Sequence, residues 1–371
     1  MREKEIKEPY FGDEGSSGKV SLGVMEEITI KDVAKKCGVG ISTVSRAINN
    51  HPDINPETKK KVMDIIRETG YIPNNSARNL KRTDTKCIAV LIKGISNPFF
   101  SAAVSVIESE AQRKKYAIVI RHVEAYEDEL EVAIELVKEK RLRGIIFLGG
   151  AFVHREDQLA KLNVPFIFST IGNVQNVGRK KQYSNIAVDD KAESKKIVNY
   201  LIGLGHKKIA IVAEGAKAAS VGHLRLEGYR EALQENGISI NENLIYDIQD
   251  RVDPYSMENG YKAAQGLLAS GEEFTALFAI ADFLAVGACR ALHEAGKRIP
   301  EDVSVAGYDG LAIGEYYTPQ LTTIRQPIEE MARKTVKLLL DVIAGKSHPE
   351  HVVFPAELIV RESTASPTGK N

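Results

Sequence analysis

The sequence predicts an α/β protein: a small all-α helix-turn-helix head, then a two-lobed body of parallel sheets covered by helices. Three observations predict it. Three short helical patterns fill residues 29–70. At Cys87 the chain changes to short β-branched apolar runs alternating with stretches of helical period. Those runs number eight or more over about 280 residues, too many for one modest sheet, so the body divides in two.

The elements follow in order. Residues 1–27, with "YFGDEGSSGKVSLG", have no helical or strand period and are expected to be a disordered extension. Met25, just before the first patterned segment, is a second candidate start. Residues 28–74 form the head. Thr29 with Asp32 has the spacing of a capping box and opens a helix that ends near Cys37-Gly38. "GVGISTVSRAINN" is the second helix. "NPETKKKVMDIIRETG" is the third, with Asn55 as N-cap, Pro56 at the first helical position and Gly70 at the left-handed end. Val33, Ala34, Val39, Val44, Ile48, Val62, Ile65 and Ile66 are its predicted core. Residues 75–86 are a polar linker able to form a turn or two of helix at 75–80, far short of the roughly 12 residues an isolated helix needs.

The body, residues 87–366, offers strands at "CIAVLI", "AIVIR", "GIIFL", "PFIFS", "NIAVD", "KIAIVA", "ALFAI" and "VSVAG". Helical stretches between them include 101–115, 127–140, 191–204, 225–236 and 257–269. There is no repeat at solenoid period.

Composition limits the function. The 371 residues contain no apolar run near the roughly 20 a membrane span needs, and no secretory signal, so no membrane partner is expected. Cys37, Cys87 and Cys289 lie far apart with no paired or metal-ligand spacing, which fits a reducing cytoplasm. The formal net charge is zero, yet residues 28–86 carry 12 Lys+Arg against 6 Asp+Glu. A basic module on an acidic body fits a polyanion partner, and equally a solvated helical face. No phosphate-cradling loop, no G-x-G-x-x-G after a strand and no nucleophile elbow is present, so no enzyme, cofactor or metal is indicated. His348 and His351 have no further ligand cluster nearby, and His206 reads as a structural residue before a strand.

A helix, a tight glycine turn and a second short helix make a helix-turn-helix, whose second helix enters the major groove. Ile41, Ser42, Thr43, Ser45 and Arg46 suit its outer face, while Val44, Ala47 and Ile48 face the other helices. Arg46 has the fork for guanine, Ile41 an apolar surface for a thymine methyl, and Asn49 and Asn50 sit where phosphates pass.

The residues say more than the pattern. "DVAKKCGV", "STVSRAIN", "TKKKV" and "GYIPNNSARNLK" closely resemble the head of the LacI/GalR family of bacterial transcription regulators. "ISNPFF", "LGHKKIA", "RLEGYREAL", "DVSVAGYDG", "PQLTTIRQP" and "LIVREST" extend the resemblance to about residue 365. It implies a repressor that binds a near-palindromic double-stranded operator as a homodimer, with Thr29, Asn74, Ala77 and Arg78 among its DNA contacts. It also implies that "PNNSARNL" is a hinge helix whose Leu80 wedges into the minor groove, at an unstacking cost of a few kcal/mol. No leucine-heptad tail follows "RESTASPTGKN", so a dimer is expected.

The same resemblance implies the two-lobed fold shared with periplasmic sugar-binding proteins, with three crossings between the lobes, near Ser184, Arg325-Gln326-Pro327 and Pro355, and an effector in the cleft. The matching positions are Asn97, Phe99, Phe100, Thr170, Arg225, Asp282 and Asp309. An Arg–Asp pair across a cleft suits vicinal hydroxyls. Ala281 before Asp282, Thr170, and Leu148 before Gly149-Gly150 depart from several sugar-binding members, so the pocket is expected to be poorer in polar groups than a sugar site. A sugar, a nucleobase, another metabolite or a protein corepressor, as in catabolite-control members, all remain open. So does a small-molecule binding protein with no role on DNA.

Overall fold

The computed structural model describes residues 28–48, 50–71, 86–94, 97–124, 126–150, 156–172, 183–214, 220–248 and 253–367. The expected extension 1–27, most of the linker, and Asn49, Asn74, Ala77, Arg78 and Leu80 lie outside them. The chain forms two compact units, divided between Thr83 and Asp84.

The head has three helices: α1 (Ile30–Cys37), α2 (Ile41–Ile48) and α3 (Pro56–Thr69). Their starts follow local chemistry. At α1, the Thr29 N–H and hydroxyl both donate to Asp32 Oδ2, at 2.9 and 2.6 Å. At α3, Asn55 Oδ1 accepts from the N–H groups of Glu57 and Thr58, and Pro56 needs no donor there. Val33, Ala34, Cys37, Val44, Ala47 and Val62 are buried together, with Val39, Ile48, Ile65 and Ile66 packed around them.

The body holds two six-stranded sheets. The first lobe contains β1 (Cys87–Lys93), α4 (Phe99–Arg113), β2 (Ala117–Val123), α5 (Glu129–Lys140), β3 (Gly144–Leu148), the single turn α6 (Glu156–Leu159), β4 (Phe166–Ser169) and β5 (Ser184–Val188). The second contains α7 (Asp190–Gly203), β6 (Ile209–Ala213), α8 (Val221–Glu235), β7 (Ile245–Asp247), α9 (Met257–Ala269), β8 (Ala276–Ala279), α10 (Asp282–Glu294), β9 (Ser304–Asp309), the turn α11 (Ile313–Tyr316) and β10 (Thr322–Arg325). The chain then returns to the first lobe with α12 (Ile328–Ile343) and β11 (His351–Phe354), and ends in the second with β12 (Glu357–Ile359).

The sheet orders are β11-β5-β4-β3-β1-β2 and β12-β10-β9-β8-β6-β7. Every pairing is parallel except β10 with β12. Central strands are buried end to end, as β3, β4, β5, β6 and β8 show, which is why their sequences read as unbroken apolar runs.

Two crossings fall where expected, at residues 325–328 and at Pro355-Ala356. The first does not. Ser184 opens β5, and the chain leaves the first lobe at the strand's far end, Val188-Asp189, because "SNIAV" pairs on both sides with β4 and β11. Among the described residues no helix is long and apolar enough to cross a membrane.

Candidate functional site

In the head, Gly38 makes the turn that aims α2. It sits at φ 67°, with its N–H bonded to the Ala34 and Lys35 carbonyls. A side chain there would face the left-handed penalty of roughly 1–2 kcal/mol. The helix that follows sorts its residues by face. Val44 and Ala47 are fully buried and Ile48 half-buried. Ser42 and Arg46 are exposed, Thr43 and Ser45 half-buried, and Ile41 is 45% exposed despite being apolar. Arg46 lies 3.9 Å from Asp53, and both side chains are more than half exposed. Such a pair is worth about 0–1 kcal/mol and does not hold the guanidinium back. Thr29, the N-cap of α1, is exposed, and its hydroxyl bond holds the Asp32 carboxyl below the usual range. Lys31, Lys35, Lys36 and Lys60 add exposed positive charge.

In the body, a cavity of about 500 Å³ opens between the two sheets. Asn97, Phe99, Phe100, Thr170, Arg225 and Asp309 all line it. The two rings of Phe99 and Phe100 meet edge to face at 5.6 Å. Gly149-Gly150 is close-packed: a Cβ on Gly149 would lie 2.9 Å from the Phe100 ring, and one on Gly150 would collide with the Glu129 carboxylate. The glycines therefore seat Phe100 against the cavity. Thr170, at φ 69°, accepts the Gly149 N–H through its hydroxyl.

Arg225 and Asp309 are 4% and 3% exposed and belong to one buried network. Arg225 donates to Asp190 through Nε (2.9 Å) and to the Ile280 carbonyl through Nη1 (2.6 Å). Its guanidinium lies over the Tyr308 ring at 3.7 Å. Asp309 accepts from Asn97 Nδ2 (3.1 Å) and Gln326 Nε2 (2.9 Å), with Arg225 Nη1 at 3.8 Å. Asn97 belongs to the first lobe, Asp309 to the second and Gln326 to a crossing, so one carboxylate ties all three. Burial pushes the Asp309 carboxyl up to about 6, against the pull of Arg225.

Asp282 departs from the expectation. It is fully buried and does not line the cavity. Its oxygens accept from the Thr323 hydroxyl and the Leu311 N–H, both at 2.6 Å. Opening α10 beneath Gly307, it ties β10 to the loop after β9 instead of facing a ligand. Burial, then the nearby Asp309 charge, pushes its carboxyl up to about 8.

The cavity wall is more apolar than polar, and its polar groups come from further positions. Lys93, His122, Glu124, Glu214, Asp253 and Tyr255 line the cavity too. They replace the polar groups missing at Leu148 and Ala281 from other loops. A rule of open α/β sheets points to them: ligands bind beyond the carboxyl ends of the strands. Lys93 ends β1, His122 lies at the end of β2, and Glu214 follows β6. His206 is buried between Thr275, Ser304 and the Ala365 carbonyl, the structural place expected of it. Among the described residues no cluster of potential metal ligands occurs.

Comparison with known proteins gives this geometry a lineage. Residues 29–74 match the profile described as bacterial regulatory proteins, lacI family, and residues 198–364 that of a periplasmic binding protein-like domain. The HTH-type transcriptional regulator MalR of Clostridium butyricum is 39% identical over 339 residues, spanning 91% of this chain and 99% of MalR. The chain belongs to the LacI family. Its members include the HTH-type transcriptional repressor PurR of Pasteurella multocida, 32% identical over 91% of this chain and 99% of PurR. Among solved LacI-family structures, the lac repressor dimer bound to operator and the anti-inducer ONPF aligns with a TM-score of 0.73 at 27% identity, over 92% of this chain and all of that one. The regulator CelR in complex with cellobiose aligns at 0.65 and 29% identity, over 91% and 99%. Like these relatives, the protein is a DNA-binding transcriptional regulator with an effector-binding domain.

Proposed function

We propose that this regulator is a cytoplasmic repressor that binds a near-palindromic operator as a homodimer, with affinity set by a small molecule held between the lobes. The observation that carries the DNA half is the sorted face of α2. An exposed isoleucine, exposed and half-exposed hydroxyls and a loosely held arginine stand on a helix whose opposite side is fully packed. That surface has hydrogen-bonding groups for base edges and phosphates and an apolar group for a thymine methyl. Thr29 and Asn74 are further DNA contacts on this reading, with Asn49 and Arg78 at the backbone and Leu80, with Ala77 beside it, at the minor groove. The dimeric lac repressor on its operator supports the stoichiometry.

The effector half rests on the cavity. Its volume suits a disaccharide, aromatic rings line one part of it, and its polar groups come from several strand ends. CelR with cellobiose supports a saccharide. The ligand would bind one arrangement of the lobes better than another, and a coupling of about 1–3 kcal/mol changes operator affinity 5- to 150-fold.

The test is selection of genomic DNA fragments by the purified protein at moderate salt, with and without cell extract. A shared near-palindrome is the expected result. Capture that is blind to sequence and lost with rising salt in both arms would refute the reading.

A further inference from the structure

We infer that Glu214 sets the chemical class of the effector: an uncharged, hydroxyl-rich ligand whose hydroxyl donates to this carboxylate, with phosphorylated or carboxylated sugars excluded. This rests on the reading of the cavity as the effector site. Glu214 stands at the carboxyl end of β6 and lines the cavity. Its Oε2 is buried and has no hydrogen-bond partner among the described residues. A buried carboxylate oxygen without a donor is costly, so a ligand that brings one gains a charge-assisted bond.

The surroundings hold that carboxylate in place. It lies against the first turn of α8, where residue 222 is glycine. A Cβ there would sit 2.7 Å from Oε2 and 3.0 Å from the carboxyl carbon. That end of the helix carries partial positive charge. Tyr255, pushed well above its ordinary pKa by burial first and by the Glu214 charge next, keeps its proton and is a side-chain hydrogen-bond partner of Glu214, so Oε2 is the oxygen left without one.

The cavity's lysine and arginine are engaged elsewhere. Arg225 is bound to Asp190 and lies close to Asp309, and Lys93 Nζ donates to the Glu127 carbonyl at 3.0 Å. An anion would meet the carboxylates of Glu214, Glu124 and Asp253 in the same cavity, with Arg225 paired to Asp190 and Lys93 and His122 the other nitrogen-bearing side chains of the lining. A ring hydroxyl meets a carboxylate with one oxygen left unpaired.

The experiment is calorimetric titration of the full-length protein with cellobiose, maltose and lactose, and with the 6-phosphates of the same sugars. Operator binding is measured in parallel. At least one neutral disaccharide should bind, and its 6-phosphate should bind at least tenfold more weakly. Glu214→Gln should weaken the neutral sugar about tenfold. Gly222→Ala keeps the carboxylate but crowds it and the Ile280 side chain, so sugar binding should weaken. Neutral binding that Glu214→Gln leaves intact, or a 6-phosphate that binds more tightly than its parent, would overturn the inference and leave the effector site standing. If no sugar binds or alters operator affinity, the saccharide reading of the cavity fails and this inference fails with it.

Discussion

Arg46 stands in water, with a long and exposed pair to Asp53 as its nearest anchor. Asp282 is sealed from water and has a donor on each oxygen. Their predictions differ accordingly. Arg46→Ala should leave the fold intact and relax preference at one base pair by about 1–3 kcal/mol, read from affinities for operators varied at each position. For Asp282 the folded carboxyl titrates near 8 and the unfolded one near 3.8. The folded state therefore holds its proton longer, and the stability this supplies below about pH 4 is lost as pH rises towards 8. Asp282→Asn cannot titrate, so its melting temperature should fall less between pH 5 and pH 8.5 than that of the unaltered protein. Equal falls would refute the assignment. Nothing in "IADF" distinguishes a cavity-facing aspartate from a buried one. The difference lies in Thr323 and Leu311, distant in sequence.

At the scale of the element, the head was the most legible part, because its signals are local. Capping residues, the glycine at φ 67° and the helical spacing of apolar residues act within a few positions of one another. Asn55 is the clearest instance. Asn55→Ala removes the acceptor for two N–H groups and should cost the head about 1 kcal/mol, seen as an earlier thermal transition in the helical circular dichroism signal. Strands were legible where the sequence carries an apolar, β-branched run, which includes the edge strand β2. The four that escaped notice are β7, β10, β11 and β12. Three of them are sheet edges with alternate or partial burial and at most three apolar residues in a row. The fourth, "TTIR", buries Thr322 and Thr323 by bonding them to Thr364 and Asp282, which hydrophobic pattern cannot reveal. The charged cavity residues were missed for a related reason. Each is unremarkable in its own segment, and the strand ends bring them together.

For the whole molecule, the consequential feature is the group of polar contacts around Asp309. A ligand that prefers one lobe arrangement must shift it, and reciprocity then requires that operator DNA change ligand affinity by the same factor that ligand changes operator affinity. Asn97→Ala deletes one bond between the lobes at this carboxylate. We expect the variant to bind operator and ligand separately within several-fold of the unaltered protein. The coupling factor, obtained by titrating ligand with and without operator, should fall towards one. An undiminished factor would show that the two sites communicate by another route.

The three passages of chain between the lobes also bear on how the protein is made. The first lobe's sheet is completed by β11, and α12 packs over β3, β4 and β5 from residues 328–343. The second lobe receives its last strand later still, at Glu357–Ile359. Neither lobe can close its core on the ribosome until nearly the whole chain has emerged. These late pairings join residues far apart in sequence, the kind of contact that slows folding. A nascent chain stopped before Ile328 would expose the apolar faces of two unfinished sheets at once. The shared strands that let the lobes move as one mechanism also oblige them to mature together, under whatever protection the cell gives a half-made protein.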